Sequence, residues 1–160
     1  MNQEYFHVGL SESIYLGLPL NFLDQLIHLE SDKICLIPGV AAFWEGVFNY
    51  RGSLVWILDT TKFLRKNSEE VLINKKQTLL VLNPQLQAGQ KKQVALAVKN
   101  LAGIITLDKN QGKTSVLTDH LSFLGQKICP IVVEQEAKQI YLLDFNILLE
   151  KIYQNSLLSI

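Results

Sequence analysis

A chain of 160 residues that is 48% hydrophobic and 19% charged carries enough apolar material to close one or two small cores, which excludes a disordered tail. Fifteen basic residues balance fifteen acidic ones, so no net field draws the chain to phosphate backbones or anionic lipid, and neither nucleic acid nor a membrane surface is expected as a partner. No apolar run reaches the roughly 18 residues needed to span a bilayer, and the polar start Met1–Glu4 lacks the basic-then-apolar order of a secretory signal; a soluble cytoplasmic protein is expected.

In chain order, β-branched and aromatic segments cut by turn formers predict strands at Tyr5–Leu10, Ile14–Leu20, Val47–Tyr50, Ser53–Asp59, Gln77–Asn83, Gln93–Val98, Ile104–Leu107, Lys127–Val133 and Gln139–Leu143. Many short strands with few helices predict a mainly β protein of small barrels or a sandwich. Between Tyr50 and Ser53 only Arg51 and Gly52 remain, a two-residue hairpin whose glycine supplies positive φ. Two helices are predicted, each after a strand that ends in Asp. Asp59 or Thr60 caps Thr61–Leu64, and Asp144 caps a longer helix whose Phe145, Leu148, Leu149 and Ile152 share one face. The strand, Asp, helix order therefore occurs twice, and the polar stretch from Arg65 to Lys76, with Asn67, Ser68, Glu69 and Glu70, reads as the connection between two halves.

Chemistry-bearing patterns are sparse. The nine glycines never fall as GxGxxG or GxxxxGK[ST], so a nucleotide enzyme is not expected. His7, His28 and His120 show no metal-ligand spacing, and no metal or cofactor is expected. Cys35 and Cys129 lie far apart without a CxxC, which predicts buried free thiols; a Cys129–His120 nucleophile is the alternative to a core cysteine. Glu45 and Asp59 could pair as acid and base, but the stronger reading makes Asp59 a cap and Glu45 a solvated turn residue. The doublets Lys75–Lys76 and Lys91–Lys92 read as solvated loops. Arg51, one of only two arginines, sits at a hairpin tip where its planar fork suits a carboxylate or carbonyl. That acceptor lies either on a partner or within the chain, at Asp59 or Glu45.

The segment Ile37-Pro38-Gly39, then Gly46-Val47-Phe48-Asn49-Tyr50-Arg51-Gly52, then Val55-Trp56-Ile57-Leu58-Asp59 resembles the hallmark of the CheW-like family. Tyr15–Leu20, Val94–Val98, Gly125 before the last hairpin and Leu142-Leu143-Asp144 extend the resemblance over nearly the whole chain. The resemblance implies a single CheW-like domain over residues 1–160, made of two intertwined five-stranded SH3-like β-barrels that share a hydrophobic interface. It also implies a non-catalytic adaptor between the cytoplasmic tip of methyl-accepting chemoreceptors and the regulatory domain of a CheA-type histidine kinase. Asn49, Arg51 and Gly52 are then the expected partner-binding residues, and Gly46, Asp59, Gly125 and Asp144 structural ones.

The chain departs from the family at two places. Gln25, with Asp24 beside it, stands where a glutamate is common, and Lys99 replaces an acid after the central strand. Asp24, Gln25 and Lys99 are accordingly expected to bear on the choice of partner. A motility or phototaxis pathway fits these changes, a competitor that caps receptor–kinase arrays keeps the fold with another role, and a small-ligand or thiol-active barrel is the reading from a different class.

Overall fold

Leu79 to Leu82 and Val94 to Val98 are apolar at every position, and successive side chains of a strand point to opposite faces, so such runs need apolar neighbours on both sides. The computed structural model, which describes residues 2–10, 13–65, 75–87, 92–115 and 121–158, supplies both. Its strands are β1 (Gln3–Gly9), β2 (Ile14–Pro19), β3 (Leu23–Glu30), β4 (Trp44–Tyr50), β5 (Ser53–Asp59), β6 (Lys76–Leu82), β7 (Gln93–Val98), β8 (Leu101–Leu107), β9 (Lys113–Thr114), β10 (Ile131–Gln135) and β11 (Lys138–Leu142). The α-helices are α1 (Thr60–Leu64), α2 (Phe123–Ile128) and α3 (Phe145–Leu158).

The strands form two sheets, one of six in the order β8-β1-β2-β11-β10-β9 and one of five in the order β3-β6-β7-β5-β4. Each contains two antiparallel hairpins joined through a parallel contact: β1–β2 with β10–β11 in the first, and β6–β7 with β4–β5 in the second. In sequence, β1 to α1 and β6 to α3 follow the same plan of hairpin, single strand, hairpin and helix, with β9 and α2 added before the second hairpin of the latter. In space the halves exchange parts, because β3 leaves the first hairpin to pair with β6, and β8 leaves β7 to pair with β1.

The exchange explains the continuous apolar runs. Phe48, Val55, Ile57, Leu79, Val81, Ala95 and Ala97 fill the inside of the five-stranded sheet, and Tyr5, Leu107, Val133, Ile140 and Leu142 fill the inside of the six-stranded one. The alternate residues Leu58, Leu80, Leu82, Val94 and Leu96 face outward and meet Val8, Leu16, Leu18 and Tyr141 of the other sheet in a third, shared core. The helices line this layer: Phe63 and Leu64 from α1, Ile128 from α2, and Phe145, Leu148, Leu149 and Ile152 from α3 are all buried in it.

Caps and close approaches hold the helices in place. Asp59 Oδ1 accepts from Lys62 N at 3.1 Å, and Asp144 Oδ1 accepts from Asn146 N at 3.0 Å and Ile147 N at 3.2 Å, which satisfies first-turn donors. Gly125 lets α2 touch α1, since a β-carbon there would lie 2.1 Å from the Leu64 carbonyl oxygen. Gly46, at φ 144°, passes so near the Cys35 carbonyl that a β-carbon would come within 2.5 Å of it.

Several expectations need correction. β3, absent from the predicted strands, breaks alternation because it bulges between Leu23 and Gln25 and turns Leu23 and Leu26 to one core and Ile27 and Leu29 to another. The strand expected at Lys127–Val133 begins only at Ile131; Lys127 and Ile128 belong to α2, which Ser122 caps by accepting from Gly125 N at 2.9 Å. The two-barrel expectation holds, with one sheet of five strands and the other extended to six by the short β9. Cys35 is exposed, because its backbone pairs with Val47 on the outer edge of β4. Lys92 is buried rather than solvated, with Nζ 4.4 Å from the centre of the Trp56 ring and 5.4 Å from that of Trp44. Residues 67–70, Lys91 and His120 lie outside the described residues.

Each of Phe145, Leu148, Leu149 and Ile152 contributes about 1.5–3 kcal/mol by burial, against a total stability of about 5–15 kcal/mol for a domain of this kind. A chain ending before Asp144 is therefore expected to lose its cooperative thermal transition, which calorimetry or near-ultraviolet circular dichroism will register.

Candidate partner-binding site

The β4–β5 hairpin turns on two residues, and both are left-handed, Arg51 at φ 51° and Gly52 at φ 82°. This is the two-residue turn whose twist matches the flanking strands. Asn49 Oδ1 accepts from Gly52 N at 2.9 Å and closes the turn. Val55 and Phe48, buried in the core of the five-stranded sheet, anchor the strands behind it, so the tip is a fixed platform.

Four side chains gather there. Arg51 Nη2 donates to Gln25 Oε1 at 2.7 Å, and Nη1 lies 3.6 Å from Asp24 Oδ2. The guanidinium carbon stands 4.9 Å from the centre of the Tyr50 ring. Tyr50 Oη lies 2.9 Å from Asp24 Oδ2 and 2.8 Å from Gln25 Oε1, two acceptors for a single hydroxyl proton. Burial and then the Asp24 carboxylate push the Tyr50 phenol above its ordinary range, with Arg51 opposing them. The Arg51 side chain is 66% exposed and that of Asp24 30%, so the guanidinium is oriented by its neighbours but open to solvent. Leu54, opposite Asn49 in the hairpin and 60% exposed, adds apolar surface beside it.

The structure brings Arg51 together with Asp24 and Gln25, and not with Asp59 or Glu45 as the intramolecular alternative had it. Asp59 is at the other end of β5, roughly 20 Å away for six residues of extended chain. Lys99 belongs to that end, with Nζ 3.9 Å from Asp59 Oδ2. Glu45 is likewise not a solvated turn residue; it lies in β4, half-buried, with Oε2 shielded from water. Tyr50 is the member that sequence reasoning missed. Its position next to Arg51 was visible, but its acceptors sit on β3, whose apolar residues do not alternate regularly.

Among the described residues, no group of three or more His, Cys, Asp and Glu could hold a metal ion, and no helix is long and apolar enough to cross a membrane. A cavity of about 180 Å³, lined in part by Tyr5, Phe22, Lys109, Asp144 and Phe145, is smaller than the roughly 300–1,000 Å³ usual for small-molecule sites. Cys129 is fully buried, and burial followed by the Asp144 charge pushes its thiol far upward, the reverse of what a nucleophilic thiol requires.

A model of the CheW-like domain family matches residues 4–152. Among solved structures, the fold is similar to that of the scaffolding protein TtCheW from Thermoanaerobacter tengcongensis, with a TM-score of 0.70, 19% sequence identity and coverage of 90% of this chain and 90% of that one. No curated protein matches. The two curled sheets are accordingly SH3-like barrels packed on a common core.

Two outcomes follow from this geometry. In the native protein a thiol reagent should label Cys35 promptly and Cys129 only after unfolding, a difference that mass spectrometry reads directly. Arg51→Gly should melt at or slightly above the wild-type temperature, because relieving a left-handed residue is worth about 1–2 kcal/mol and an exposed ion pair only about 0.2–1 kcal/mol.

Proposed function

The chain belongs to the CheW-like domain family, and on that footing we propose that it is a non-catalytic cytoplasmic adaptor, joining the tip of a methyl-accepting chemoreceptor to the regulatory domain of a CheA-type histidine kinase. The observation that carries this reading is the Arg51 guanidinium, held by Gln25, Asp24 and Tyr50 on a rigid hairpin yet open to solvent. A fixed, solvent-facing guanidinium is suited to a carboxylate or carbonyl on another protein, and holding it in place beforehand reduces the entropy lost on binding. Exposed Leu54 offers apolar contact at its side, and Arg51 and Tyr50 belong to the residue types enriched at interaction hot spots.

Asn49 and Gly52 serve this site by shaping the turn, and Asp24 and Gln25 by aiming the guanidinium. With the common glutamate position occupied by neutral Gln25, the carboxylate next to Arg51 comes instead from Asp24 at 3.6 Å. Such a contact holds the fork more loosely and leaves more of it for a partner. Lys99 is engaged with Asp59, so its part in partner choice is indirect. The chain's role in a chemotaxis, phototaxis or pilus-motility pathway depends on the receptor and kinase it meets.

Truncating Arg51 should cost binding without costing the fold. Loss of a charge-assisted contact removes about 1.5–3 kcal/mol, a roughly tenfold to hundredfold rise in Kd. Titration of Arg51→Ala and Arg51→Gly against the kinase regulatory domain and a receptor-tip fragment, with thermal melts alongside, tests it. Arg51→Lys should restore only part of the affinity, since an ammonium keeps the charge and loses the fork. Unchanged affinity for both partners would refute the site.

A further inference from the structure

Glu45 and Asp59 meet at the end of the β4–β5 hairpin away from its tip. Trp44 pairs with Leu58 and Gly46 with Ile57, so Glu45 is the extra residue of a β-bulge, a feature that re-aims a side chain out of the strand's alternation. The register puts its carboxyl at the same end of the sheet as the side chains of Asp59, of Lys99 and of Gln77 on β6, the groups that act on it electrostatically. Its Oε2 is buried, and no donor faces it. Asp59, 3% exposed, accepts from Lys62 N at 3.1 Å through Oδ1 and forms an ion pair with Lys99, whose Nζ lies 3.9 Å from Oδ2. Two carboxylates cannot hydrogen-bond to each other, and like charges at close range resist joint ionisation. A proton held at Glu45 relieves that repulsion, and the buried oxygen without a donor is the one free to carry it.

We propose that Glu45 and Asp59 share one proton and, with Lys99, form a pH-sensitive latch on the turn that carries the chain from the five-stranded sheet to the six-stranded one. That turn is Lys99–Asn100, between β7 and β8. Lys99 is tethered to Asp59 on one side, and Asn100, left-handed at φ 56°, accepts from Gly9 N of the six-stranded sheet through its carbonyl at 3.0 Å on the other. The charged and polar groups that face Glu45 are Asp59 at the end of β5, Lys99 in the turn and Gln77 on β6. With the proton in place, Glu45 is neutral, and Asp59 and Lys99 cancel. Without it, two carboxylates compete for one ammonium in a half-buried site and the turn loosens.

Burial first, and Asp59 second, raise the Glu45 carboxyl from 4.5 to about 7, with Lys99 and Gln77 acting in the opposite direction. The folded chain therefore holds a proton that the unfolded chain releases at lower pH. Between these two values the native state binds more protons, so this pair's contribution to stability falls as pH rises from 4.5 to about 7 and is level above it. The inference stands independently of the partners proposed above.

Two measurements on the full chain test it. Melting curves of wild type and Glu45→Gln between about pH 5 and about pH 9 should show the wild-type Tm declining relative to the variant up to about pH 7, then running parallel. In the wild type, the Glu45 carboxyl carbon should titrate by NMR near 7, with the Lys99 and Asn100 amides moving at the same midpoint. Parallel melting curves throughout, or a Glu45 carboxyl that titrates at its ordinary value, overturn the shared proton. Titration near 7 with the two amides unmoved overturns the latch. The NMR titration needs no variant, so it decides the matter even where Glu45→Gln fails to fold.

Discussion

Leu58, Leu80 and Leu96 of the five-stranded sheet meet Leu16 and Leu18 of the six-stranded sheet in a layer shut off from water, and this contact is what the remaining structure is arranged around. A strand that buries one face can stop there. These strands bury both, so neither barrel closes its apolar surface without the other, and the exchange of β3 and β8 ties the two along the chain as well. The helices follow from the same constraint: α1 and α3 leave β5 and β11 through Asp caps and lie across the layer's margins, where Phe63, Phe145 and Ile152 complete it.

Such a core frees the rims. Both ends of the β4–β5 hairpin are polar, and they carry opposite designs. At the tip, Arg51 is exposed and aimed by groups from a different strand, an arrangement open to an outside acceptor. At the base, Glu45 and Asp59 are withdrawn from water and matched to one another and to Lys99, so their chemistry is internal. The same strand pair thus presents an exposed guanidinium at one end and an ion pair to the crossover between barrels at the other. The apolar stretch between them, with Val55 and Ile57 facing one core and Leu58 the other, keeps the two ends at a fixed separation.

Because each half of the sequence gives its first hairpin to one sheet and its second to the other, a change at the crossover acts on both barrels at once. Lys99 illustrates how a local substitution is absorbed. A base following the central strand lies beside two carboxyls and supplies the only cation facing them among the described residues. An acid in its place would put a third carboxyl in the same half-buried spot with no cation to balance it, which only protonation or exposure could relieve.

What the sequence by itself determined was local. The β4–β5 turn was legible because two-residue hairpins demand left-handed residues and glycine provides one. Asp59 and Asp144 were legible as caps because a short acceptor beside unpaired amides acts within one turn of chain, and the family hallmark was legible because its residues are contiguous. The tertiary structure alone decided the rest. β3 bulges between Leu23 and Gln25 and divides Leu23, Leu26, Ile27 and Leu29 between two cores, so it lacks the simple alternation that marks a strand, yet it delivers Asp24 and Gln25 to Arg51. α2 was hidden inside an apolar run that serves a helix and a strand equally well. The destination of Arg51, the burial of Glu45 and Lys92 and the exposure of Cys35 depend on which strands lie side by side. That pairing is set by the need of two sheets to bury one shared face, a condition on residues far apart in the chain that no stretch of sequence states locally.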